Sequence, residues 1–290
     1  MPSVLADFVG QLSVERSQFD EPTTGRVLLS KTQLVLAISD DEKERIQLDS
    51  IFDIRAGTTP QFVDGISGRP VTVAYRDGTD RVTAVVAGDE QTSTKFEAVL
   101  FKAILNGTYV TLKHPSKVGG RVMDTDFQGS IMSLGANEVR FDVEEGPVEI
   151  TLDSIVDFSR EPRTVDDGER PVLVVTHAED GDALETIAAT DSQRKLSILG
   201  RYLRGPYERL RRSLQQLTLS EAETEALTTI YSTGGMDVSL PNVLGMEPER
   251  VRRLLHSLHE KSLVESNDGG PVLTARGQIV VNEYLERINT

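Results

Sequence analysis

Leu48-Asp49-Ser50-Ile51-Phe52-Asp53-Ile54 returns as Leu152-Asp153-Ser154-Ile155-Val156-Asp157-Phe158, 104 residues further along the chain. Other landmarks recur around it in the same order. Gly25 and Gly129 keep the same spacing, each at the opening of an alternating segment. Arg69-Pro70-Val71 returns as Arg170-Pro171-Val172, and Leu105-Asn106-Gly107 is matched by Leu203-Arg204-Gly205. A repeat of this length implies a duplicated unit of about 100 residues.

Within the first copy, Phe8–Val14, 26–29, 34–38, 45–54, 71–75 and 82–86 alternate apolar with polar residues, which is the period of half-buried strands. Asp40-Asp41, Gly57 and Arg76-Asp77-Gly78 punctuate them. The period then becomes helical over 92–105, with Phe96, Val99, Leu100, Ala103 and Ile104 on one face and Gly107 as the stop. Many strands closed by one helix is the order of a pleckstrin-homology-like (PH-like) β-sandwich. The second copy repeats it through 109–112, 129–133, 139–143, 148–158, 172–176 and 184–188. Its helix is expected to open at Asp191, as an N-cap, and to continue past Gly205-Pro206 to Leu217 with a kink at the proline.

After Leu217 the pattern changes. Ser220-x-x-Glu223 is a capping box before Ala226, Leu227, Ile230 and Tyr231. Gly234-Gly235 marks a loop, and 238–244 a short second helix. Glu247-Pro248 opens a third, with a core stripe of Val251, Leu254, Leu255 and Leu258. Asn267-Asp268-Gly269-Gly270 is a hairpin turn signal, and a last helix is expected over 275–288. Helix, helix, helix, hairpin, helix is the order of a winged helix-turn-helix. The expected architecture is therefore mainly β with α: two tandem PH-like sandwiches, each closed by a helix, and a C-terminal winged helix. The domain boundaries fall at 1–108, 109–217 and 218–290.

Composition narrows the function. The 290 residues carry 46 acidic against 31 basic side chains, a net charge of −15, and no cysteine. Disulfides, thiolate metal sites and cysteine nucleophiles are excluded. The acid excess with few lysines suits a protein kept hydrated in molar salt. No basic leader precedes an apolar core at the start, and no apolar run is long enough to span a bilayer, so a cytoplasmic protein with no membrane insertion is expected. No phosphate loop, dinucleotide fingerprint or His-Glu-x-x-His is present. His256 and His259 share a helix face but two ligands make a poor zinc site. Asp124-x-Asp126-x-x-Gly129 lacks the distal glutamate of a calcium loop. The residues point away from an enzyme, with no cofactor and no metal.

Two basic features remain. The second terminal helix carries Arg194, Lys195, Arg201, Arg204, Arg209, Arg211 and Arg212, with Tyr202 and Tyr207 as candidate anchors of a docking surface. The bland alternative is a solvated face whose arginine stems cover the sandwich. Arg250, Arg252 and Arg253 stand on the would-be recognition helix. Acidic residues outnumber basic ones in this module, and DNA affinity comes largely from neutralised phosphates. Protein contact is expected there rather than DNA. His114, Lys117 and Arg121 beside Gly119-Gly120 are a weaker anion-binding candidate, and the corresponding loop of the first copy, 15–22, is acidic.

The tandem sandwiches, the Leu-Asp-Ser-Ile repeats, the arginine-rich helix over 196–217 and the acidic C-terminal module together resemble the archaeal CheF family of taxis proteins. That resemblance implies a non-enzymatic adaptor coupling the chemotaxis system to the archaellum. The implied partners are the response regulator CheY, the CheC and CheD proteins and the archaellum switch proteins, with self-association into a homodimer left open. The competing reading is a winged-helix transcription regulator with PH-like sensor domains.

Overall fold

A computed structural model describes residues 4–15, 21–233, 239–267 and 269–288. Most of the acidic 15–22 loop, the Gly234-Gly235 loop, the expected helix start at Val238 and the hairpin-tip Asp268 lie outside the described residues. The chain is mainly β with helices. It divides into two compact units: Met1–Thr108 with Ile131–Leu134 and Thr190–Gly205, and Tyr109–Ser130 with Gly135–Ala189 and Pro206–Thr290.

Seven strands form the first sheet: β1 (Val4–Val14), β2 (Thr23–Ser30), β3 (Gln33–Ala37), β4 (Lys43–Gln47), β5 (Ile51–Ala56), β6 (Arg69–Asp77) and β7 (Asp80–Gly88). Their order is β4-β3-β2-β1-β7-β6-β5, with antiparallel pairing. Alternation puts Leu12, Val27, Leu34, Leu36, Ile46, Val71 and Val73 inside. Helix α1 (Glu90–Leu105) buries Phe96, Leu100, Phe101 and Ile104. Asp89 caps it, its Oδ1 accepting from the Thr92 amide at 2.7 Å. Gly107 ends it with φ +76, a left-handed conformation that a side chain would strain.

The second sheet contains β8 (Thr108–Val118), β9 (Arg121–Val122), β10 (Gln128–Leu134), β11 (Glu138–Val143), β12 (Gly146–Thr151), β13 (Ile155–Val165), β14 (Gly168–Glu179) and β15 (Asp182–Ala189). Its order, β12-β11-β10-β8-β15-β14-β13, repeats the first, and β9 is an extra hairpin arm on β8.

The repeated heptapeptide explains why the sheets match. The expected unbroken strands over 45–54 and 148–158 are each split, because Leu-Asp-Ser forms a turn. The Ser50 amide and hydroxyl both donate to the Gln47 carbonyl (3.0 and 2.8 Å), and those of Ser154 to the Thr151 carbonyl (3.2 and 2.9 Å). A serine hydroxyl competing for local backbone is what ends the strand. The preceding leucine amides bond Thr32 and Asn137 carbonyls at 2.9 and 2.8 Å, and both leucines are buried. The serine carbonyls then accept from the Arg76 and Ala178 amides. A register shift follows in each copy, between Ile51 and Asp53 and between Ile155 and Asp157. Asp49 and Asp153 thus occupy equivalent turn positions. The two glycines do not. The in-out alternation of β2 matches β10 when offset by 105, so buried Gly25 answers to Ser130, while exposed Gly129 lies under the Tyr109 ring.

Helix α2 (Gln193–Leu214) begins one residue later than expected. Ser192 rather than Asp191 caps it, its hydroxyl accepting from the Lys195 amide and its carbonyl from Leu196. It contains Pro206 and ends at Leu214, short of Leu217. Beyond it come α3 (Glu221–Thr233), α4 (Leu240–Leu244), α5 (Pro248–Glu260), the hairpin β16 (Val264–Asn267) and β17 (Gly270–Leu273), and α6 (Ala275–Ile288). Their core of Leu227, Ile230, Leu258, Leu263 and Ile279 also takes in Val156 of β13 and Leu214 of α2. Helix α6 packs on β13 and β14. The β14–β15 turn meets β17 so closely that a Cβ on Gly181 would lie 2.5 Å from Val272 Cβ, and Gly181 has φ +90.

Candidate docking surface

The buried stripe of α2 is Leu196, Ile198, Leu199, Leu203 and Leu214. Its cations divide by what lies beneath them. In the first unit, Arg194 Nη1 donates to the Leu48 and Ile51 carbonyls at 3.1 and 2.7 Å, gripping the Leu-Asp-Ser-Ile turn. Lys195 donates to Thr108 Oγ1 at 3.1 Å, and burial lowers its pKa, with Arg194 adding to the effect. Arg201 forms a two-point pair with Asp53, Nε to Oδ1 at 2.7 Å and Nη2 to Oδ2 at 3.3 Å. Tyr202 packs on Phe101 with ring centroids 5.3 Å apart. Arg201 and Tyr202 are thereby committed within the unit. Asp53, overlooked in the sequence as a charge partner, could have been flagged as the second aspartate of the repeated motif.

In the second unit, Tyr207 packs edge-on against Phe158. The Arg211 guanidinium lies 5.8 Å from the Tyr207 ring centroid and donates to Glu283 of α6 at 2.8 Å. Burial raises the Tyr207 pKa, Arg211 opposes the rise, and Asp157, Glu283 and Glu286 add to it. Arg209 and Arg212 are exposed, and among the described residues neither meets a carboxylate; Arg212 only turns back to the Glu208 carbonyl at 3.3 Å. Arg204 is exposed and holds contacts of its own.

The α5 arginines lie on a different element, which packs on α3, α4 and β16. Arg252 is paired with Glu249 at 2.6 Å, while Arg250 and Arg253 are exposed without an ion pair among the described residues. Glu247 and Glu249 precede them and Glu260 ends the helix, so the charges of this segment nearly balance. Val243 of α4 is 54% exposed, an apolar spot of the kind a protein partner covers. Of the remaining candidates, His256 lies 3.5 Å from Glu260 and His259 contacts the Val264 carbonyl. His114 turns to Thr186 and half-exposed Lys117 pairs with Glu185 at 2.7 Å, so two of that anion-site trio are already engaged within the sheet and Arg121 is exposed. Among the described residues no three His, Asp or Glu side chains are arranged to hold a metal, and no helix is long and apolar enough to cross a membrane.

The model of the Archaeal Chemotaxis signal transduction system protein F family, CheF-arch, matches residues 4–209, ending inside α2 at the first of its uncommitted arginines. The chain belongs to the archaeal CheF family. Taxis protein CheF2 of Halobacterium salinarum (strain ATCC 29341 / DSM 671 / R1) is 37% identical over 287 residues, covering 99% of each chain. Taxis protein CheF1 of the same organism is 30% identical over 253 residues, covering 83% of this chain and 80% of its own. The CheF2 match continues through the C-terminal helices that the family model leaves out, so the α5 face has a counterpart in that relative. CheF membership places the chain in archaeal chemotaxis.

Proposed function

We propose that this CheF-family chain is a non-enzymatic, cytoplasmic adaptor that couples CheY and the CheC and CheD proteins to the archaellum switch proteins. In this reading the sheets of residues 1–108 and 109–217 are tandem PH-like domains and 218–290 is a winged helix used for protein contact. The observation that carries it is the pair Arg209 and Arg212. They are exposed and uncommitted in a chain of net charge −15, where most other cations of α2 are held by the protein itself. In molar salt the Debye length falls to about 3 Å, so these arginines act by direct bidentate contact with carboxylates rather than by steering. Arg250 and Arg253 extend the same chemistry onto α5, and exposed Val243 of α4 adds an apolar contact beside them.

The test is affinity for purified CheY, CheC, CheD and switch proteins in molar KCl, with a thermal melt of each variant. Arg209→Glu with Arg212→Glu is expected to weaken at least one partner tenfold or more while leaving Tm unchanged. Arg211 is left intact, because its loss would break the Glu283 bond and confuse folding with binding. Unaltered affinity for every partner would refute the assignment of α2. Nanomolar duplex DNA binding that Arg250→Ala and Arg253→Ala abolish would favour a transcription regulator instead.

A further inference from the structure

The two sheets differ in their interiors where three strands meet. In the first, Val14, Ala84 and Tyr75 lie together by register: Val14 faces Ala84, and Tyr75 faces Val82 and Ile51. The equivalent residues of the second are His114, Thr186 and His177, since Leu112 faces Ala188, Val175 faces Thr186, and His177 faces Leu184 and Ile155. An apolar contact of the first copy has become a polar bridge. His114 Nδ1 lies 2.7 Å from Thr186 Oγ1, and His177 Nε2 lies 3.3 Å from the same oxygen. The rings stack with centroids 5.7 Å apart. His177 is 2% exposed and Thr186 fully buried. The first copy keeps only the Tyr75 hydroxyl, which donates to Glu44 at the sheet edge.

One hydroxyl can serve two neutral imidazoles, donating its hydrogen to one ring nitrogen and accepting N–H from the other. It cannot serve a protonated ring in the accepting role, because that nitrogen then donates too. The hydroxyl hydrogen would have to turn away inside a buried site, which leaves a donor without an acceptor. Burial holds both rings below the ordinary histidine range, and His114 lowers His177 further, to about 4. The charged groups on the surrounding strands are otherwise engaged. Lys117 of β8 pairs with Glu185 of β15, Lys113 of β8 sits over Phe127, and Asp157 of β13 and Glu179 of β14 do not offset the effect on either ring. Helix α6 reaches the β14–β15 turn through uncharged Gln278, whose amide donates to the Gly181 carbonyl.

We propose that His114, Thr186 and His177 form an acid-sensitive latch that ties β8, β14 and β15 together while neutral and releases them on protonation, in the second sheet only. The end of β14 beyond His177 is where Ala178 packs against the C-terminal core and Gly181 meets Val272. Release of the latch therefore loosens the seat of α6 and β17. A neutral site with depressed histidine pKa values stabilises fully above the free histidine value near 6.5, and this contribution declines as pH falls through the 6 to 4 range.

The test is amide hydrogen exchange on the full chain in molar KCl at pH 7.5 and 5.0, corrected for intrinsic rates. Protection of 113–116, 174–177 and 184–187 should drop at least tenfold relative to the first-sheet equivalents 13–14, 73–75 and 82–85. The triple variant His114→Val, Thr186→Ala, His177→Tyr should lose this difference. Equal loss in both sheets, or a difference that survives in the triple variant, overturns the proposal. Should the triple variant not fold, the ring-proton titrations of the wild-type protein decide. A His177 midpoint below 5.5 supports the latch, and any higher midpoint refutes it.

Discussion

Replacing Lys261 by methionine probes the most heavily bonded buried charge of the C-terminal core. Glu223 sits in the first turn of α3, with 7% of its side chain exposed. Its carboxylate accepts from the Ser220 amide (2.8 Å), the Ser220 hydroxyl (2.9 Å), the Ser257 hydroxyl (2.8 Å) and Lys261 Nζ (2.6 Å). Burial alone would raise its pKa. The bonds from Lys261, Ser220 and Ser257 outweigh burial and pull it from 4.5 down to about 2. A depressed carboxylate stabilises above its unfolded pKa and loses that contribution as pH falls through the folded value. That depression corresponds to a contribution on the order of 3 kcal/mol. Lys261→Met removes the ammonium and leaves the carboxylate buried, a cost on the order of 3 kcal/mol, or about 6–12 °C in Tm for a unit of this size. The pair is largely shielded from solvent, so molar salt should weaken it far less than it weakens exposed pairs. Unfolding of wild type, Lys261→Met and Glu223→Gln would be followed from pH 7 to pH 2 in molar KCl. The gap between wild type and Glu223→Gln should be widest near pH 7 and close towards pH 2. A Lys261→Met variant within about 0.5 kcal/mol of wild type at pH 7, a bound set by ordinary surface substitutions, would refute the reasoning. So would a gap that does not change with pH.

The other expectations concern α2, charge and DNA. Arg201→Ala should destabilise the first unit by about 1 kcal/mol, a modest figure because Asp53 and Arg201 are partly exposed; a double-mutant cycle with Asp53→Asn that yields no coupling energy would make the pair incidental. If the acid excess is an adaptation to salt, melts across a KCl series should show Tm rising into the molar range, and a flat or falling series would indicate an ordinary acidic protein. Random and promoter duplexes should fail to shift at moderate salt, since β17 packs against the β14–β15 turn and α5 carries nearly as many acids as bases.

Much of this was legible without coordinates, because it depends on neighbours in the chain. Alternation placed the strands, the switch to helical period placed α1, and Ser220-x-x-Glu223 and Glu247-Pro248 marked the starts of α3 and α5. These signals are local: a strand shows its two faces, and a cap shows its hydroxyl, within a few residues. The duplication was visible for the same reason, since Leu-Asp-Ser-Ile must build the same turn wherever its surroundings are repeated. Its conformation was less legible. A heptapeptide that mixes Leu, Ile, Val and Phe with polar residues reads as strand until the serine hydroxyl is seen bonding backward to Gln47 or Thr151.

What only the tertiary structure decided was which charges are available. Arg194, Arg201 and Arg211 look the same in sequence as Arg209 and Arg212. The first three find Leu48 and Ile51, Asp53, and Glu283, each more than 70 residues away in sequence, and the last two find none of these. His114 and His177 read as scattered histidines until the sheet brings both to Thr186. Sequence carries the period of a segment because backbone geometry imposes it locally. It does not carry the partner of a long side chain, because that is chosen by whichever distant segment the fold lays beside it.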